Sequence, residues 1–142
     1  VAQPILPFAL PLLVCDSYAP SGGTKYDFFG AFHAVRPYKY PHVLRQICVV
    51  AHLTGGQGVM TTQLDIRSEQ DELIFTTLPR QLTIPNRQTL VRLVNFLEEV
   101  IFPHSGIYFI QLHCENTPIA EFRLTLHDRA GEQIGEANGK VE

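Results

Sequence analysis

Six histidines are the first residues in this chain to suggest chemistry. Imidazole is the commonest metal-ligating side chain. His33, His52, His113 and His127 alternate onto outward strand faces, where they could converge with Glu121. Zinc, however, takes three or four ligands in fixed geometry, usually with one close pair in sequence. No two histidines here stand at i, i+2, so solvated surface imidazoles are the simpler reading and no metal ligand is assigned.

Nucleophilic and phosphate chemistry find less support. There is no Gly-x-Ser-x-Gly elbow. Cys48 near His52 would need a depressed pKa that no adjacent Lys or Arg guarantees. Gly55-Gly56-Gln57-Gly58 and Gly22-Gly23-Thr24-Lys25 lack the Lys-Ser/Thr ending and following helix of a phosphate loop. Asp71-Glu72 and Glu98-Glu99 read as solvated turns, and Asp16 or Asp128 alone is too little carboxylate for calcium. No catalytic residue and no cofactor is implied. What remains is an aromatic corner, Tyr38 and Tyr40 between Pro37 and Pro41, which would receive a sugar or peptide or simply lid one end of the fold.

The elements that must position these residues are short strands. At 142 residues, with 45% hydrophobic and 18% charged, the chain matches one soluble domain with one core. A formal charge of -3 excludes the basic footprint of a nucleic-acid binder. Cys15, Cys48 and Cys114 form no Cys-x-x-Cys pair and read as small buried hydrophobes in a reducing, cytoplasmic setting. Residues 1–11 form a Pro-rich arm without the basic start of a signal peptide. No apolar run is long enough to span a bilayer. The first residue is not Met, which leaves open that a longer precursor was cut.

Period-two alternation marks the strands. A first covers residues 10–16, and the Pro-Ser-Gly-Gly stretch within 17–24 reads as a loop. A second covers 26–36, with Gly30 marking a bulge or close approach. A third covers 42–53, with Val43, Ile47, Val49, Ala51 and Leu53 inward. In the fourth Met60, Thr62, Leu64 and Ile66 face inward, and 73–78 is a short fifth. Residues 86–101 fit a helical stripe of Leu90, Leu93, Val94, Leu97 and Ile101 capped by Asn86. They also fit a strand, and strand is the expectation, because the last two strands need a partner; a short helix is the alternative. Those last two, about 106–115 and 118–127, form a closing hairpin with Tyr108, Ile110 and Leu112 facing Ala120, Phe122, Leu124 and Leu126. Residues 135–142 read as a polar tail. About eight such strands predict an all-β, antiparallel β-sandwich, immunoglobulin-like or C2-like.

Three short motifs carry a resemblance: Cys15-Asp16, Phe29-Gly30-Ala31-Phe32, and Phe102-Pro103-x-x-Gly106-x-Tyr108. With them the chain, from about Leu12 to Leu126, resembles a family of small bacterial proteins known only as a domain of unknown function. The resemblance implies a β-sandwich and a bacterial source, and it carries over no catalytic or binding residue.

Two functions are therefore expected. The first is a non-enzymatic binding or assembly module that presents a face to a protein partner or to itself. If the second and third strands pair as a hairpin, Phe29, Ala31 and Val35 merge with Leu44, Cys48 and Val50 into one outward apolar patch, beside Tyr38 and Tyr40. Such a patch marks a homo-oligomer or partner interface, unless the arm covers it. The alternative is a small metal-dependent enzyme or hydrolase with its site on the outward His/Glu face. No nucleic-acid or membrane partner is expected.

Overall fold

The computed structural model describes residues 3–23 and 25–128, all strand and connection, with no helix among them. Its longest strand is β6 (His42–Thr54), and two sheets are arranged about it. The first sheet places β10 (Val91–Phe102) antiparallel to the whole of β6, from Val91 opposite Leu53 to Phe102 opposite His42. The other edge of β6 is shared by β1 (Phe8–Ala9) and β2 (Leu13–Cys15), which puts Cys15 opposite Cys48. The second sheet runs β5 (Ala34–Val35), β12 (Thr117–Leu126), β11 (Gly106–Cys114), β7 (Gly58–Ser68). Its far edge is divided between β8 (Leu73–Thr76) and β9 (Arg80–Ile84), both bonded to β7. A separate hairpin joins β3 (Ser17–Gly22) to β4 (Lys25–Phe29).

The core lies between the two large sheets. Ile47, Val49, Ala51 and Leu53 of β6, with Leu93, Leu97, Val100 and Phe102 of β10, meet Leu64, Ile66, Tyr108, Ile110, Leu112, Leu124 and Leu126. The fold is an all-β antiparallel sandwich, as the alternation predicted; β5 and β12 form a parallel pair within it. The closing hairpin is present, and Met60, Thr62, Leu64 and Ile66 are all buried. Tyr108 pins the corner that opens that hairpin. Its hydroxyl donates to the His104 carbonyl at 2.6 Å, and its ring meets Phe102 edge-on with centroids 4.9 Å apart. A tyrosine bonded back to the chain just before its own strand is a recurrent device of immunoglobulin-like sandwiches.

Residues 91–102 are strand, and the resemblance to a helix has a structural cause. Glu99 adopts φ +53°, which reverses the inward side from odd to even residues, so buried positions fall at Leu93, Leu97 and Val100. That spacing mimics a helical stripe. The same reversal occurs opposite, on β6, where Arg45 and Gln46 both face solvent. Leu44 therefore packs against the core, and Val43, expected inward, is 41% exposed. Asn86 caps a turn instead of a helix: its Oδ1 accepts from the Gln88 amide at 3.0 Å and the Thr89 hydroxyl at 3.1 Å.

Other expectations are corrected. The partner of β10 is β6, and the closing hairpin finds its neighbour in β7. The stretch read as a loop contains β3; Pro20 is tolerated there because β3 bonds to β4 alone and leaves its other edge open. The second strand breaks at Gly30 into β4 and β5, which belong to different sheets, so no hairpin joins the second and third strands. The arm supplies β1, and residues 80–84 supply β9, so more than the expected eight strands result. The tail expected at 135–142 lies outside the described residues.

Truncating the core and the surface of one strand should separate cleanly. Leu124→Ala should cost about 2–5 kcal/mol, as buried leucine truncations do. Glu121→Ala, exposed on the opposite face, should stay within about 0.5 kcal/mol. Urea titrations of both variants measure the difference, and equal costs would contradict the register of β12.

Candidate functional site

Between β4 and β6 the chain leaves one sheet, crosses the open side of the sandwich and reaches the other. Residues 29–43 make this strap. Its beginning is bonded to the free edge of β2: the Asp16 amide donates to the Phe29 carbonyl at 2.9 Å, and the Phe32 amide to the Val14 carbonyl at 3.0 Å. The turn between these bonds is Gly30, with φ +66°. A Cβ there would collide with the Asp16 carboxylate, whose Cγ would lie at 2.8 Å. Glycine is therefore required twice over, by its backbone conformation and by the approach of Asp16.

The strap then bonds to the second sheet. The Thr125 amide donates to His33 O at 3.0 Å, and the His127 amide to Val35 O at 2.9 Å. The Tyr40 hydroxyl donates to His127 O at 2.6 Å, fastening the far end just before the cis Tyr40-Pro41 bond. Phe32, Val35, Tyr40 and Leu44 turn partly into the core. Phe29, 51% exposed, and Tyr38, 87% exposed, stand in solvent. Among the described residues, open grooves follow the strap. One of about 490 Å³ lies between Val35, Tyr38, Pro41 and Val43; one of about 360 Å³ between Asp16, Ala31, Phe32 and Leu44; and one of about 200 Å³ between Leu13, His33 and Phe122.

Of the residues expected at an interface, Phe29, Ala31, Val35, Tyr38, Tyr40 and Leu44 gather on or beside this strap. Cys48 and Val50 do not. They face away from the core as the alternation requires, but the β3–β4 hairpin buries them, in a second apolar cluster with Cys15 flanked by Leu13, Tyr18 and Val94. The cover is that hairpin, not the Pro-rich arm. Tyr18 stacks between Tyr26 at 5.6 Å and Phe28 at 6.1 Å, with Phe96 of β10 at 6.3 Å. The Arg92 guanidinium lies 3.4 Å over the Tyr26 ring and donates through Nε to His52 Nε2 at 3.1 Å. Burial and the neighbouring Arg92 charge lower the His52 pKa, which keeps that nitrogen available as an acceptor. This aromatic layer was missed in the sequence. Its signal was Tyr26-x-Phe28 answering Tyr18 across Pro20-Ser21-Gly22-Gly23, a hairpin pattern with aromatics on one face.

The outward histidines do not converge. His113 and Glu121 share the outer face of the second sheet, yet each has its own partner. His113 Nε2 is 3.4 Å from Asp65 Oδ2, without hydrogen-bond alignment, and Asp65 Oδ1 accepts from the Thr76 hydroxyl at 2.7 Å. Glu121 accepts from Gln111 Nε2 at 2.9 Å. His52 belongs to the other sheet, and His33 and His127 lie at the strap. Among the described residues no three His, Cys, Asp or Glu side chains are grouped to hold a metal ion, and no helix is long and apolar enough to cross a membrane.

The three cysteines are free thiols, all buried. Cys15 Sγ donates to the Ser17 carbonyl at 3.3 Å. Burial pushes the Cys48 thiol up to about 12, helped by Cys15, and Cys114 up to about 11, helped by Glu115. Such thiols are poor nucleophiles at neutral pH.

These features define a class: a β-sandwich with one side strapped and one outer face layered by a hairpin. The family model described as "Family of unknown function (DUF6941)" matches residues 11–127, and the chain belongs to that family. No curated protein matches the chain.

Two outcomes follow from this geometry. Gly30→Ala should destabilise by about 1–3 kcal/mol in thermal melts, through backbone strain and the clash with Asp16; Asp16→Ala in the same chain should recover part of the loss. The second concerns alkaline pH. The Cys48 and Cys114 thiols ionise near 9 when unfolded and near 12 and 11 when folded. The stability they contribute is full below about pH 9 and is lost as pH rises through the folded values. Urea midpoints should fall as pH rises from about 9 towards 11, and less steeply in Cys48→Ala.

Proposed function

We propose that the protein is a non-enzymatic binding or assembly module that presents the strapped side of its sandwich to a protein partner or to a second copy. The observation that carries this reading is the strap itself. Phe29, Tyr38 and Val43 hold large apolar surfaces in solvent on a segment whose backbone is bonded to both sheets. Aromatic side chains of this kind dominate the energetic centres of protein interfaces. A backbone already fixed loses little freedom on binding, so the contact area is spent on affinity and not on ordering. The flanking grooves provide concave surface beside the projecting rings. Three free, buried thiols support a reducing compartment, and with it a cytoplasmic setting.

A photo-crosslinking residue placed at Tyr38 or Phe29, in cells of the source organism, tests the reading. Discrete protein adducts are expected from both positions and not from Glu121, which is exposed on the outer face of the second sheet. The strap is not an interaction surface if adducts are absent, or if Glu121 yields the same ones.

A further inference from the structure

On the opposite side of the sandwich β8 of the second sheet packs close to β10 without backbone pairing to it. There β10 ends the first sheet, and among the described residues it pairs only with β6. A 12-residue strand with one unpaired edge is a template for another strand. The Val94 carbonyl points out of that edge, because it accepts from Arg80 Nη1 at 3.4 Å. Strand alternation then gives Arg92, Val94 and Phe96 outward-directed N–H and C=O groups, while those of Leu93, Asn95 and Leu97 serve the ladder with β6.

We propose that a second copy of this chain pairs antiparallel with this edge, with the two-fold axis at Asn95. Residues directly opposite in an antiparallel pair share a face, so a symmetric pairing of β10 must be centred on a residue. Centred on Asn95, each Arg92 lies opposite the second copy's Glu98, two charge-complementary pairs related by the axis. Leu93 lies opposite Leu97 on the core side, and Val94 opposite Phe96 on the outer side, where Phe96 is 52% exposed. An axis at Val94 would set Arg92 against Phe96, and one at Phe96 would set Glu98 against Val94. Of these three axes, only the one at Asn95 sets Arg92 against Glu98 and Val94 against Phe96.

A further observation falls on the axis. Asn95 Nδ2 is buried and has no hydrogen-bond partner, which is costly for an amide donor. In the proposed pairing the two Asn95 residues are directly opposite at a non-hydrogen-bonded position. Their Cα atoms would lie about 4.5 Å apart, and each amide could accept from the other. The Arg80 side chain, weakly bonded to Val94 O, would give way to the incoming strand. This surface is separate from the strap, so the two assignments stand or fall independently.

Sedimentation velocity over a concentration series tests the pairing on the full chain. A reversible dimer is expected. Glu98→Arg puts like charges opposite Arg92 twice and should weaken dimerisation about tenfold or more. Asn95→Cys, treated with oxidised glutathione, should give a disulfide-linked dimer on a non-reducing gel, because the two new thiols meet at the axis. Ile101→Cys, more exposed to solvent than Asn95 but off the axis, should not. A chain that stays monomeric at hundreds of micromolar (roughly) overturns the proposal. So does a dimer unaffected by Glu98→Arg, or one that cross-links at Ile101→Cys as readily as at Asn95→Cys.

Discussion

Strand β6 is apolar on both faces, and that single constraint sets the number of layers. Ile47, Val49, Ala51 and Leu53 face the second sheet, while Cys48 and Val50 face the opposite way. Fully burying a valine-sized side chain is worth about 1.5–3 kcal/mol, so neither face can be left to water. The second sheet covers one. The other falls to the β3–β4 hairpin, whose Tyr18 closes over Cys48 and Val50 and is held by its stack with Tyr26 and Phe28. A two-stranded hairpin is marginal alone in water. This one is stabilised by lying on a face that needs a cover, and the Arg92 guanidinium against Tyr26 fastens it to β10.

Alternation was legible wherever a strand keeps one phase along its length. β7 and β11 do so, as does β12 beyond its bulge at Ile119, and their inward sets were readable residue by residue. β6 and β10 change phase at the same level, across Arg45-Gln46 and Glu98-Glu99. Each then shows an i, i+3 spacing of apolar residues at the break, Leu44 to Ile47 and Leu97 to Val100. That is a helical spacing inside a strand, and it is why Val43 was placed inward and why 86–101 read two ways. Local pattern reports the period of a segment and is silent about its partner. Hence the apolar outer face of β6 was visible, while its cover, drawn from residues that read as a turn, was not. The assignment of Cys48 and Val50 to an exposed patch failed for this reason. The strap residues were found because exposed aromatics between prolines carry their own signal.

The short motifs that suggested the family can now be given physical roles. Cys15-Asp16 and Phe29-Gly30-Ala31-Phe32 are distant in sequence but form a single junction, where the edge of β2 bonds the strap and Gly30 makes room for the Asp16 carboxylate. Phe102 and Tyr108 are the two halves of the corner before β11, joined ring to ring and locked by the hydroxyl bond to His104. Both are devices for fixing backbone. Each leaves a polar side chain exposed, the Asp16 carboxylate and the His104 imidazole, but among the described residues neither belongs to a group of three metal-ligating side chains.

That geometry treats the two open sides of the sandwich differently. On one side both sheet edges are occupied by the strap: its carbonyls accept from Asp16, Thr125 and His127, and its Phe32 amide binds Val14. Where the strap bonds, edge groups are satisfied, and the proposed recognition would come from side chains that project beyond them, Phe29 and Tyr38 foremost. On the other side the edge of β10 keeps a row of unpaired backbone donors and acceptors, with β8 packed close by and Arg80 bonded to Val94 O. Recognition there would be made by the main chain, with side chains setting register. A sandwich strapped along one side, with an unpaired β10 edge on the other, would thus separate the two proposed modes of contact.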